Sequence, residues 1–435
     1  MNHKKMEKRY KKHIIQALTE VIIMVISVSV VILIAMYFGR ADTEMSKEEA
    51  EFSENAPKDR DVLHVWYNDK EYEAYFSALE KEYEKETGTN VEIRYVSDLD
   101  YLEEIYKANK EDGSLEYAKP DVFLIQTEDL EAVYGYGMAG EIENFKQHEA
   151  EFLKNAVKNV TFRGKTLAYP LSFDTAFLLY RSDYITNEPA SFEEMVQFSE
   201  QFDYEGNQNV KRVFYYNAAD TFHNYGFLGA YLQFGGTTGD DDKSISLCSE
   251  AAQNAVLYYR KLMEKWSIHY GLEDYNSIPQ KFSNGEILCT IVTIRELNQI
   301  EELTKDKELE YKACVLPDMN AELETQSLSF TQGLAINYLS NKEEEALSFV
   351  QYATLKRSDL IYEYAGLLPA KQISYSDEIY NVIQEQYENA ANLPKLMMAA
   401  DYYVRIGDIF NQALKGEGVS GALSDLEENY KKRQD

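Results

Sequence analysis

The chain has 435 residues, with 44 Lys and Arg against 75 Asp and Glu, a net charge of −31. So acidic a surface repels nucleic acid and anionic lipid, which excludes a DNA, RNA or polybasic membrane-surface role for the folded part. Three cysteines (Cys248, Cys289 and Cys314) and six scattered histidines show no metal-ligand spacing, so no metal, other cofactor or disulfide framework is expected.

Basic residues crowd the start of the chain: Lys4, Lys5, Lys8, Arg9, Lys11 and Lys12. An uncharged, largely apolar run of 18 residues then extends from Val21 to Phe38. At about 1.5 Å per residue it spans roughly 27 Å, close to the thickness of a bilayer's hydrocarbon core. The pattern predicts a cytoplasmic basic tail at 1–13 and a transmembrane anchor at 14–40, with the remainder outside the membrane. The competing reading is a signal peptide cleaved near Ala41, although such peptides carry a shorter apolar region of about 7–15 residues. A lipoprotein signal is excluded because the first cysteine is Cys248. Residues 41–60 are polar and charged without apolar periodicity, as in a flexible stalk.

From residue 61 onward, strand and helix patterns alternate. Val62–Tyr67 reads as a buried strand, Tyr72–Thr87 as an amphipathic helix stopped by Gly88, and Asn90–Val96 as an alternating strand. A helix over Leu99–Asn109 and a short buried strand at Pro120–Ile125 complete a β-α-β-α-β order, which predicts an α/β unit with a largely parallel sheet. Two strand-like pieces flank Pro170, and helical patterns dominate from Phe192 to about Trp266. Strands follow at Glu286–Ile294, Tyr311–Leu316 and Leu328–Asn337, then helices at Lys342–Leu355 and Asp401–Leu414. The folded part is too long for one ordinary core and suits two lobes. Trp66 and Trp266, the only tryptophans, read as core residues, as do Cys289 and Cys314.

Several blocks, in order, resemble the extracellular solute-binding proteins of carbohydrate ABC transporters, the maltose-binding-protein type. They are VLHVWYNDKEYEAYFSALEKEYEKETGTNVEI, KPDVFLIQTEDLEAVYGYGMAGEI, RGKTLAYPLSFDTAFLLYRSDYI with PASFEEM, QKFSNGEILCTIV, CVLPDM, SFTQGLAINYLSNKEEEALSFVQYA and YAGLLPAKQ. The resemblance implies a periplasmic-binding-protein type II-like fold of two α/β lobes, with a hinge that the chain crosses more than once. The expected lobes are 61–172 with 317–358, and 173–316 with 359–435. It also implies a monomeric binding protein, not an enzyme, that closes on a small carbohydrate-like solute and delivers it to permease subunits.

The resemblance places candidate ligand contacts in loops at strand ends, where open α/β sheets bind ligands. After the first strand come Tyr67, Asn68 and Asp69; after PDVFLI come Glu128 and Asp129. Each acid has an alternative role as a helix cap. Phe173 and Asp174 stand where the resemblance places the crossing between lobes, and Phe222, followed by His223, where it places an aromatic platform. Gln332, on the strand at Leu328–Asn337, is a further candidate. Family members with G-P-W after the strand resembling ILCTIV differ from this chain, which reads Thr293-Ile294-Arg295; near the carboxyl end, where another tryptophan is common, it reads Asp401-Tyr402-Tyr403. Arg295 and Tyr402 therefore join the candidates. Were Arg295 to face the cleft, its guanidinium would suit anionic sugars or sugar phosphates; an ion pair with Glu296 or Glu302 is the alternative. No G-x-S-x-G, H-E-x-x-H or phosphate-loop motif occurs. The rival to transport is a sensor or partner-binding module on the same fold.

Overall fold

The computed structural model describes residues 62–97, 100–110, 118–269 and 277–434. The basic tail, the anchor at 14–40 and the stalk at 41–60 lie outside the described residues. Among the described residues no helix is long and apolar enough to cross a membrane.

The strands in chain order are β1 (Val62–Tyr67), β2 (Asn90–Tyr95), β3 (Val122–Gln126), β4 (Thr161–Phe162), β5 (Lys165–Thr166), β6 (Ala168–Asp174), β7 (Phe177–Arg181) and β8 (Arg212–Phe214). They continue with β9 (Gln233–Gly235), β10 (Asp241–Ser246), β11 (Ile287–Val292), β12 (Tyr311–Cys314), β13 (Leu328–Ile336), β14 (Leu368–Pro369) and β15 (Ala391–Asn392). A seven-stranded sheet runs β14-β6-β13-β3-β1-β2, with β15 paired to β13; a four-stranded sheet runs β12-β7-β11-β8. β1 is parallel to β2 and β3, as the β-α-β order predicts, whereas β13 runs antiparallel to β3 and β6.

The chain passes between the two sheets at Thr175–Ala176, directly from β6 to β7, and again between β12 and β13. It passes a third time after β15, because the helix Tyr402–Leu414 packs on the helices Thr221–Tyr225 and Glu250–Lys265. β14 and β15 therefore belong to the sheet of β1, although the sequence reading had grouped 359–435 with the other lobe. The helix Asp359–Ala365 likewise packs on the helix Glu73–Thr87. The sequence pattern gives these two-residue strands no periodicity to read.

Local chemistry explains other departures from the sequence reading. Pro170 does not separate two strands but lies within β6. Opposite it the register shifts, so that Ser172 faces Gln332 and Pro170 faces Gly333, and the missing N–H is absorbed at the irregularity. Gly333 is required there, since a Cβ would stand 3.0 Å from the Tyr169 carbonyl oxygen and 3.0 Å from Val160 Cγ1. The stretch 192–266 is less helical than its pattern predicts, because β8, β9 and β10 interrupt it. The β9–β10 hairpin turns on Gly235, Gly236 and Gly239, all at positive φ. Helix ends are better marked: Gly88 (φ 76) stops Glu73–Thr87, and Ser191 and Ser249 cap the helices that follow them.

Alternation along the strands builds two cores. Leu63, Val65 and Leu124 point to the face covered by Tyr72, Tyr75 and Phe76. Trp66, Phe123 and Ile125 point to the opposite face, against Leu130 and Val133. Trp66 and Trp266 are buried, as are Cys289 and Cys314.

Candidate ligand-binding cleft

The loop after β1 is fixed before any ligand arrives. Asp69 caps the turn Lys70–Tyr72 by accepting from the Glu71 N–H at 3.0 Å. Its other oxygen faces Gln332 Nε2 at 3.4 Å and Arg295 Nη2 at 3.6 Å. Gln332 is buried, and its amide oxygen accepts from the Tyr72 hydroxyl, which also meets Ser172. Arg295 Nη1 donates to Glu71 Oε1 at 2.5 Å. Arg295 thus faces the other sheet's loop, and its partners are neither Glu296 nor Glu302. Glu296 is engaged by His223, and Glu302 by Lys305.

Asp174 ends β6 where the chain first changes sheets. Its Oδ1 accepts from the Thr175 N–H at 2.8 Å and from the Ile294 N–H at 3.3 Å, the latter at the start of the helix Ile294–Thr304. Burial pushes its carboxyl up to about 7, against the opposing pull of Arg295 and the two N–H donors.

On the side of the four-stranded sheet, Asp220 caps the helix Thr221–Tyr225 through the Phe222 N–H at 2.8 Å. One turn on, His223 is fully buried, with Nε2 2.7 Å from Glu296 Oε2 and Nδ1 3.3 Å from Asp220 Oδ2. Burial alone would lower the imidazole's pKa, but Glu296 and Asp220 hold it up at about 10. Glu296 also closes a capping box with Thr293, accepting from its N–H at 2.9 Å. The sequence reading overlooked this cluster. Its signals were the Thr-x-x-Glu spacing of Thr293 and Glu296 and the i,i+3 spacing of Asp220 and His223.

After β3, Asp129 closes a capping box with Gln126 on the turn Thr127–Asp129, accepting from the Gln126 N–H at 2.9 Å; its side chain does not cap the helix that begins at Leu130, which was the role weighed for this acid. Glu128 and Asp129 line a cavity of about 260 Å³ together with Leu393, Pro394, Met397, Tyr402 and Tyr403. Burial raises the Tyr403 phenol's pKa, and the negative charges of Asp220 and Glu128 raise it further, so acids from both sides bear on this hydroxyl. Phe222 is half-buried beside them.

The candidates therefore fall into two groups. Asp69, Gln332 and Arg295 interact at one side, with the buried Asn68 beside Asp69; Glu128, Asp129, Phe222 and Tyr402 gather at the other. Two of the candidates are packing residues. The Tyr67 ring lies 4.7 Å from Phe76, and Phe173, 1 % exposed, lies 4.5 Å from Tyr387. Each occupies a strand position whose side chain turns into the core. Tyr402 is also buried, and its hydroxyl meets that of Tyr225 at 3.1 Å, which leaves its ring only a cavity wall.

Residues 78–394 match the family model described as bacterial extracellular solute-binding protein. The chain belongs to this family. It is a binding protein rather than an enzyme, as the ordered sequence blocks implied. Among relatives of this solute-binding protein, the maltodextrin-binding protein MdxE of Bacillus subtilis is 24% identical over 385 residues, covering 83% of this chain and 88% of the relative. A maltooligosaccharide ABC transporter solute-binding lipoprotein of Streptococcus pneumoniae is 21% identical over 369 residues, covering 81% and 84%. The fold matches that of the Staphylococcus aureus extracellular solute-binding protein in complex with maltose, with a TM-score of 0.71 at 19% identity over 86% of this chain and 98% of the other. It also matches a cyclo/maltodextrin-binding protein complexed with maltotetraose, with a TM-score of 0.71 at 18% identity over 87% and 98%. The two-lobed α/β architecture is thus shared, with the lobes built on the two sheets.

Proposed function

We propose that this solute-binding protein captures a neutral carbohydrate of the maltooligosaccharide type between its lobes and delivers it to an ABC importer. The observation that carries the reading is the convergence of acids and rings at the cleft. Glu128 and Asp129 from one lobe share a cavity with Tyr402 and Tyr403, and Asp220 bears on the same Tyr403 hydroxyl beside Phe222. Carboxylates accept from sugar hydroxyls, and aromatic faces pack on the apolar CH face of a pyranose. What the relatives bind supports the same class. The anionic-sugar reading loses its main support, because two carboxylates already face Arg295. The run Val21–Phe38 supports a single-pass anchor holding the binding part outside the cell, with cleavage near Ala41 as the alternative.

A thermal-shift series on the full chain with maltose, maltotriose, glucuronate and glucose 6-phosphate tests the reading. A ligand at roughly 100 times its Kd stabilises the folded state by about 2.7 kcal/mol, enough to raise Tm by several degrees. The expected result is a shift with the neutral sugars that Glu128→Gln weakens. A shift with the anionic sugars alone, or with none of the four, refutes the proposal.

A further inference from the structure

We propose that the Arg295–Glu71–Asp69 cluster is a specificity determinant that stops one end of the cleft and so limits the length of ligand it accepts. The inference rests on the carbohydrate reading above and deepens it. Its basis is the position of the cluster and the rigidity of both its anchors.

Arg295 is the second residue of the helix Ile294–Thr304, and that helix begins at a heavily determined point. Thr293 and Glu296 close a capping box there, Glu296 is tied to His223, and the Ile294 N–H reaches Asp174 across the change of sheets. On the facing side, Asp69 is held as the cap of its own turn and by Gln332, whose amide is in turn held by Tyr72. The guanidinium joins these two supports through Glu71 and Asp69. It is therefore a bridge between the two lobes beside Asp174, not a side chain loose in solvent.

The cavity lies on the other side of the seven-stranded sheet. The segment that carries Glu128 and Asp129 leads into the helix Leu130–Gly135, packed on the face of Trp66, Phe123 and Ile125. The segment from Asp69 to Phe76 packs on the opposite face, with Leu63, Val65 and Leu124. A linear ligand seated against Glu128 and Tyr403 and extended past Asp174 runs into the ion pair. To continue, it must displace the side chains that bridge the lobes; the pair is half-exposed, so the obstruction is the space the bridge fills rather than the strength of its bonds.

The test is calorimetric titration of the full chain with maltose, maltotriose, maltotetraose and maltohexaose, in the wild type, in Arg295→Ala and in Glu71→Gln. The readout is the ratio of each longer sugar's Kd to that of maltose, which does not depend on an overall change in affinity. In the wild type the ratio is expected to stay near one or rise with length. In both variants the ratio for maltotetraose is expected to fall at least tenfold, because opening the stop exposes new contacts. Glu71→Gln retains the Arg295 side chain but removes the charge that holds it across the cleft, and guards against a folding defect in the alanine variant. Wild-type affinity that climbs steadily from maltose to maltohexaose overturns the length limit while leaving the sugar-binding reading intact. An unchanged length profile in both variants overturns the role of the cluster. Absence of binding by all four sugars overturns the carbohydrate reading and this inference together.

Discussion

Replacing Glu296 by Gln tests the buried charge cluster beneath the cleft. The glutamine amide oxygen can still accept from the Thr293 N–H, so the capping box survives and the change isolates the charge. His223 is held as imidazolium at about 10, against an ordinary 6.5. At 1.36 kcal/mol per pH unit that displacement is worth at most ~5 kcal/mol. Because the folded-state pKa lies above the unfolded one, this stabilisation is complete below about pH 6.5 and is lost as pH rises through about 10. Removing one member of a buried pair typically costs ~3–5 kcal/mol, and Asp220 at 3.3 Å retains part of the histidine's compensation. Urea unfolding at pH 6 should therefore place Glu296→Gln about 3 kcal/mol below the wild type. At pH 9.5 most of that gap should have closed, since the wild-type imidazole then contributes little. A gap of equal size at both pH values would mean that His223 is neutral in the folded protein, and the reasoning fails.

Asp174 behaves in the opposite sense. Its folded-state pKa is raised from 3.8 to about 7, so its charge destabilises the fold increasingly as pH climbs from 3.8 through 7 and not at all below. Asp174→Asn should gain about 1–2 kcal/mol at pH 8, discounted for partial exposure, and almost nothing at pH 4; equal loss at both pH values in urea unfolding refutes this. Gly333→Ala places a Cβ within 3.0 Å of the Tyr169 carbonyl oxygen and Val160 Cγ1 and 3.1 Å from Ala168 Cβ. Overpacking at this bulge should cost about 1–3 kcal/mol in the same assay, and a neutral substitution would show that β6 and β13 part freely there.

Legibility in the sequence followed the range of the interactions. β1 was read to the residue, and the helix stopped by Gly88 was off by one, because apolar alternation and a left-handed cap are written in adjacent positions. Two-residue β14 and β15 had no pattern of their own; only pairing across the sheet creates them. The acids after β1 and β3 could be placed in loops because strand ends are recognisable. Their partners were not, since Glu71 and Arg295 stand 224 positions apart and His223 and Glu296 stand 73 apart. Pairing of Arg295 with Glu296 or Glu302 within its own helix had little support from the i,i+1 and i,i+7 spacings. Adjacent residues on a helix point apart, and seven residues span two turns. The guanidinium turned instead to the acids across the cleft.

Those two kinds of contact, buried at the crossings and half-exposed in the cleft, determine how the lobes can move. Thr175 Oγ1 meets Ser327 Oγ at 2.8 Å, and Gln386 ties Ser327 to the Leu316 N–H through bonds of 2.8 and 2.5 Å. All of these side chains are buried, so opening that network would leave polar groups unpaired in the core, at about 1–3 kcal/mol each. The first and second crossings are therefore held side by side as one unit. Arg295, by contrast, is 38% exposed and its partner Glu71 46%. Water can replace each half of that pair, and exposed pairs contribute about 0–1 kcal/mol. The lobes can part at the cleft at low cost while the crossings stay joined. Asp174 sits between the two regimes, accepting from Thr175 at the crossing and from Ile294 next to Arg295. A rigid-body rotation that carries the Ile294–Thr304 helix away from β6 would act on both the 3.3 Å bond from Ile294 to Asp174 and the Arg295–Glu71 pair, because both are made at the start of that helix.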